Sequence, residues 1–171
     1  MTIDIKTHKT ADDVIIELSN DLSETMSLPN IKPLLSQRVI FECENIKYIN
    51  SEAVQLWAHW LSKLDERIQI VFRKTPPRVV DYFNIIDGFL PTSATVESFF
   101  VPYECEKCEH VELYLAQRGK DYIDSSAGEA VQINLPKIIN CPGCQGAMEL
   151  GIWKEKYLKF LIVKSGSGVT T

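Results

Sequence analysis

The chain has 171 residues, 45% hydrophobic and 24% charged, with 18 basic and 23 acidic side chains and a formal net charge of −5. This length and apolar content bury a core of ordinary size, which excludes a disordered chain, and the acidic balance attracts phosphate backbones and anionic membranes poorly. No apolar run approaches the roughly 18 to 20 residues that cross a bilayer, and the amino terminus MTIDIKTHKTADD carries no export signal, so a soluble cytoplasmic protein without a membrane partner is expected.

Residues 1–98 hold 10 basic and 14 acidic side chains and a single cysteine, Cys43. Asp13 to Leu18 and Arg38 to Cys43 are β-branched and aromatic runs bounded by polar residues, and both predict strands. A short helix is expected between them, in the stretch from Asp21 to Gln37. From Ser51 to Leu64 the period changes: Ala53, Trp57, Trp60, Leu61 and Leu64 recur on one face of a helix. Asn50 or Ser51 can cap its first amides, and Glu52 suits the positive end of the helix dipole. Arg67 to Phe72 predicts the next strand. Thr75-Pro76-Pro77 opens a second helix, with Val79, Tyr82, Phe83 and Ile86 on one side and a stop at Gly88. The order β, α, β, α, with a crossover helix of this length, implies parallel pairing in an α/β module.

The run Arg38-Val-Ile-Phe-Glu-Cys-Glu-Asn-Ile-Lys-Tyr-Ile-Asn-Ser-Glu-Ala-Val-Gln-Leu56 resembles the STAS domain, the module of anti-sigma-factor antagonists and of the cytoplasmic ends of sulphate transporters. The family pattern here is Asp-Ser-Ser/Thr-Gly followed by an apolar helix. Ile68 to Phe72 is similar to its next strand, and Thr75 to Gly88 to its next helix. Ser51 falls on the family's phosphorylatable serine, while Asn50 replaces Asp, Glu52 the second hydroxyl residue and Ala53 the glycine. The resemblance covers residues 1–98 and implies a mixed sheet with helices packed on it, together with a protein partner, an anti-sigma-factor kinase or a larger regulatory complex, docking around Ser51. Ser51 itself has two readings: a helix cap, which is preferred, or a phosphorylation site, where the free amides favour a phosphate and Glu52 opposes it. Asp124-Ser-Ser-Ala-Gly128 is closer in letters to the family motif, but no apolar helix follows it.

Residues 99–171 hold 8 basic and 9 acidic side chains and the other four cysteines. A strand is expected over Val96 to Tyr103, then Cys105 and Cys108, then a polar loop and hairpin over Ala116 to Lys137, with turn chemistry at Arg118-Gly-Lys-Asp121. Cys141 and Cys144 form the second CxxC pair, 32 residues after the first. Met148 to Val163 is expected to be strand, and Lys164 to Thr171 a flexible tail. Two CxxC pairs resemble a zinc ribbon, in which two turns bring four thiolates onto one ion. The expectation is an all-β ribbon over residues 99–163 with one structural Zn²⁺ held by Cys105, Cys108, Cys141 and Cys144. Four thiolates close the shell, leaving no position for substrate. His110 could replace a cysteine, but reads better as a surface residue. Dimer interface, docking surface and stabiliser remain open as roles for the ribbon, a homodimer among them.

His8 and His59 have no partner at catalytic spacing, Cys43 reads as a small buried hydrophobe, and no nucleophile elbow, phosphate-binding glycine loop, HExxH or paired acidic motif occurs. The sequence therefore points to a non-enzymatic signalling protein that binds a protein partner. The alternative is a nucleic-acid-associated zinc-ribbon protein, for which Lys154, Lys156 and Lys159 speak. Glu104, Glu106, Glu109 and Glu112 around the first pair disfavour it.

Overall fold

In the computed structural model of the protein, residues 6–23, 25, 28, 38–65, 67–125 and 130–163 are described. The chain divides between Glu97 and Ser98 into two compact units. The tail from Lys164 lies outside the described residues, as does most of the stretch expected to hold a short helix between Asp21 and Gln37; Asp21 and Leu22 end a strand instead.

The first unit comprises β1 (Lys6–Lys9), β2 (Asp13–Leu22), β3 (Arg38–Ile49), α1 (Ser51–Ser62), β4 (Gln69–Arg73), α2 (Pro77–Ile85) and β5 (Thr95–Val96). Its sheet has the order β1-β2-β3-β4-β5; β1 is antiparallel to β2 and every other pair is parallel. The register sets Ile16, Phe41 and Phe72 in one row, so all three project to the same side. On that side Phe41 meets Trp57 of α1 edge-on at 5.0 Å and stacks on Phe72 at 5.3 Å, and Phe72 meets Phe83 of α2 at 5.1 Å. Each such ring pair adds about 0.5–1.5 kcal/mol beyond its area burial, which fixes both helices on one face of the sheet. The Trp57 indole N–H donates to the Phe89 carbonyl at 3.3 Å, so this large buried side chain leaves no polar atom unpaired.

The other side of the sheet bears charge. Asp13 and Arg38 pair bidentately at 2.9 and 3.1 Å, and Glu97 reaches both Arg38 (3.5 Å) and Arg73 (2.6 Å). The cross-strand partners Ile40 and Val71 lie on this side, two residues from Arg38 and Arg73 respectively, and both are buried.

The second unit comprises β6 (Ser98–Cys105), β7 (Val111–Gln117), β8 (Tyr122–Ile123), β9 (Gln132–Ile133), β10 (Ile139–Asn140), β11 (Ala147–Leu150), α3 (Lys154–Tyr157) and α4 (Phe160–Val163). An antiparallel sheet has the order β10-β11-β6-β7, and β8 pairs with β9 in the expected polar hairpin. Alternate residues of β6, Phe99, Val101, Tyr103 and Cys105, are buried. Phe99 sits among Tyr122 (5.1 Å), Phe160 (5.2 Å) and Tyr157 (6.4 Å), and the Tyr103 hydroxyl donates to the Pro136 carbonyl at 2.6 Å.

Two expectations are corrected here. The stretch Val96 to Tyr103 is not one strand: Val96 pairs with Phe72 in the first sheet and Ser98 with Gln117 in the second, with Glu97 between them. Met148 to Val163 is strand only as far as Leu150, and the unit is not all-β. Gly151 follows β11 where a Cβ would lie 2.5 Å from Glu104 Cγ, and beyond it Tyr157, Leu158, Phe160 and Leu161 are buried at helical spacing. Among the described residues, no helix is long and apolar enough to cross a membrane.

Candidate metal centre and helix-start site

The sheet order brings two hairpin turns together. β6 ends at Cys105 and β11 begins just after the second CxxC, with Cys105 directly opposite Met148 in the ladder. The two turns then repeat one hydrogen-bonding scheme. In the first, the Cys105 amide donates to the His110 carbonyl (2.9 Å) and the Glu109 amide to the Cys105 carbonyl (2.8 Å). In the second, the Cys141 amide donates to the Gly146 carbonyl (2.8 Å) and the Gln145 amide to the Cys141 carbonyl (2.9 Å). The residue after the second cysteine is left-handed in both, Glu109 at φ 58° and Gln145 at φ 59°.

All four sulfurs lie within 4.8 Å of one another, with Cys105–Cys144 and Cys108–Cys141 at 3.5 Å. Four thiolates about 2.3 Å from a tetrahedral ion such as zinc stand about 3.8 Å apart, so the cluster has the dimensions of a four-thiolate metal shell. A disulfide is much shorter, at about 2.05 Å. Burial pushes the Cys105 thiol up, but the amides of Cys108 and Lys107 and the Cys144 sulfur outweigh it and bring Cys105 down to about 7. The His110 amide holds Cys108 down, yet the thiols of Cys144 and Cys141 push it up to about 12. Each proton that the four thiols give up leaves a thiolate whose charge a divalent cation can neutralise. Gly146 fits against it: a Cβ there would stand 3.2 Å from the Cys144 sulfur and 3.5 Å from that of Cys105. His110 is outside the cluster; its ring lies 3.3 Å from the Glu112 carboxylate at the surface.

In the first unit, the start of α1 resolves the capping alternatives. Asn50, with φ −84° and ψ 167°, accepts the Ala53 amide on Oδ1 at 2.8 Å, and its own amide donates to the Leu22 carbonyl at the end of β2. Ser51 is therefore not the cap but the first helical residue. Both Ser51 and Glu52 are exposed. A groove of about 500 Å³ runs from Ser51 along Val54, Gln55 and Ala58 of α1, facing Tyr82, Ile86 and Asp87 of the α2 side. The Tyr82 hydroxyl donates to the Ile49 carbonyl at 3.2 Å, which ties α2 to the chain entering α1. The sequence marked Tyr82 and Ile86 only as a buried helix face; Tyr82 is half-buried, and its position on the groove wall depends on the pairing of α2 with α1.

Other singled-out residues have structural places. Cys43 is buried inside β3 rather than at its end, and burial pushes its thiol well above the ordinary value. Thr75 is buried two residues ahead of α2, whose N-cap position is Pro76 without a side-chain cap bond. Asp121, read as turn chemistry, is buried and accepts from the Tyr114 hydroxyl at 2.7 Å and the Gln117 amide at 2.9 Å, fastening the turn after β7. No protein-family model matches the chain, and no curated protein is significantly similar to it.

Proposed function

We propose that the protein is a non-enzymatic regulator: a STAS-like module that binds a protein partner at the start of α1, carrying a zinc ribbon whose single metal ion is structural. The observation that carries the first part is the exposed Ser51 hydroxyl at the mouth of an interhelical groove, with the capping bond made by its neighbour Asn50. Because the cap does not use Ser51, a hydroxyl, a phosphate or a partner's group can occupy that position without unwinding the helix. Asn50 sets the first turn, Tyr82 holds the α2 wall, and Val54 and Ala58 offer apolar surface between them. A single ion held by Cys105, Cys108, Cys141 and Cys144 would link the two turns.

Affinity capture with the wild-type protein beside Ser51→Ala and Ser51→Asp tests the partner site. Recovery of one partner that is weakened by Ser51→Asp supports a phosphoserine switch; equal recovery by all three keeps the binding module and removes the switch. Elemental analysis showing one zinc per chain tests the ribbon.

A second reading has one observation in its favour. Trp153 is 73% exposed and precedes the exposed Lys154 and Lys156, the aromatic and basic pairing that binds single-stranded nucleic acid. Salt-sensitive binding of an oligonucleotide that Trp153→Ala abolishes would establish it against the acidic surroundings of Cys108.

A further inference from the structure

The four cysteines of the cluster differ in their exposure to solvent. Cys105 and Cys141 are 1% and 0% exposed, Cys144 is half-buried, and Cys108 is exposed. The sulfur 3.5 Å from Cys108 belongs to Cys141, in the opposite turn, and the other 3.5 Å contact, Cys105–Cys144, also crosses between turns. Cys108 is therefore the residue of the cluster most open to reagents in water, and a sulfur from the other hairpin already lies at van der Waals distance from its own.

We infer that Cys108 is a peroxide-reactive cysteine, resolved by Cys141 rather than by its own neighbour Cys105, so that oxidation cross-links the two turns and discharges the metal. The inference rests on the reading of the cluster as a metal site. Cys108, a thiolate once it serves as a metal ligand, attacks one oxygen of hydrogen peroxide: an S–O bond forms, the O–O bond breaks and hydroxide leaves, with two electrons passing from sulfur to oxygen. The Cys141 thiolate then attacks the Cys108 sulfur: the S–S bond forms, the S–O bond breaks and a second hydroxide leaves. Two thiolates become one disulfide and one peroxide becomes two hydroxides. Closure shortens the 3.5 Å contact to about 2.05 Å. Cys105 and Cys144 then remain as two donors, half the set that a closed tetrahedral site requires.

The full chain, its metal content measured beforehand, is treated with an equimolar amount of hydrogen peroxide. Released metal is read with a chromogenic chelator, and disulfides are mapped by non-reducing tryptic mass spectrometry. Cleavage after Lys107 places Cys105 and Cys108 on different peptides, and fragmentation within Cys141-Pro-Gly-Cys144 separates the last two. The expected result is near-stoichiometric metal release with Cys108–Cys141 as the first link, reversed by dithiothreitol and added zinc. A first link between Cys105 and Cys108, a first link through Cys144, or metal retained in excess peroxide overturns the inference while leaving the metal site standing. A chain that carries no metal before peroxide is added, and takes up none, overturns the metal site and this inference with it.

Discussion

Glu109 and Gln145 occupy the same place in two different hairpin turns, and both hold the left-handed backbone, at φ 58° and 59°. Each follows the second cysteine of its pair and donates its amide to the carbonyl of the first. The left-handed conformation costs a non-glycine residue about 1–2 kcal/mol. Here it persists because it directs two sulfurs of each turn to one point. Glu109→Gly and Gln145→Gly are expected to preserve metal binding and to raise stability by up to about 1 kcal/mol each, whereas Gln145→Val lowers both. Thermal unfolding of the metal-loaded variants checks this.

Metal affinity is expected to weaken as pH falls. In the metal-free cluster Cys105 titrates near 7 and Cys108 near 12, so at neutral pH protons must leave when the ion binds, and more must leave at lower pH. Competition against a chelator of known affinity at pH 6 and pH 8 should show tighter binding at pH 8, with protons released to a weak buffer. Removal of the metal should loosen residues of the second unit near Cys105 and Cys141, read as faster amide exchange in β6 and β11.

Asn50→Ala is expected to cost about 1 kcal/mol, the usual loss for an N-cap side chain. Ser51→Ala should stay within about 0.5 kcal/mol, since its side chain is exposed and the cap bond is made elsewhere. Urea unfolding of the two single variants separates these outcomes; the reverse order would reassign the cap.

The Arg38 guanidinium, bonded to both oxygens of Asp13, holds that carboxyl below its ordinary value of 3.8. A depressed carboxylate stabilises the fold fully above the unfolded value and loses that contribution as pH falls through the folded one. The first unit should therefore lose stability progressively below pH 3.8, and Asp13→Asn should flatten that part of the profile while lowering stability at neutral pH. Denaturant midpoints measured from pH 2.5 to 7 follow both effects.

Trp57→Ala is expected to be the most damaging of the single substitutions considered, at about 3–5 kcal/mol. It removes ring contacts with Phe41 at 5.0 Å and Phe89 at 6.0 Å and leaves the Phe89 carbonyl without the indole donor. Trp57→Phe should recover part of the loss. Chemical denaturation followed by far-ultraviolet circular dichroism measures both.

Several features could be read from the chain alone because the physics behind them is local. The β-branched and aromatic runs of Asp13 to Leu18 and Arg38 to Cys43, period 3.6 from Ala53 to Leu61, and paired CxxC turns are properties of contiguous residues, and they specified the strands, α1 and the cysteines that gather. Choices between distant partners were not written there. Val96 and Phe99 look alike in sequence, yet one pairs with β4 and the other with β7, because strand membership depends on which edge lies within hydrogen-bonding reach. Asn50 and Ser51 have equal capping chemistry, and the bond from the Asn50 amide to the Leu22 carbonyl decided between them. Tyr157 to Leu161 fits a loose alternation as well as a helix until Phe99 provides the surface against which Tyr157 and Phe160 pack. The unequal exposure of Cys108 and Cys141 follows from their places in the assembled sheet. Local periodicity fixed what each segment could become; packing and long-range hydrogen bonds, each joining residues far apart in the chain, decided which of those states was satisfied.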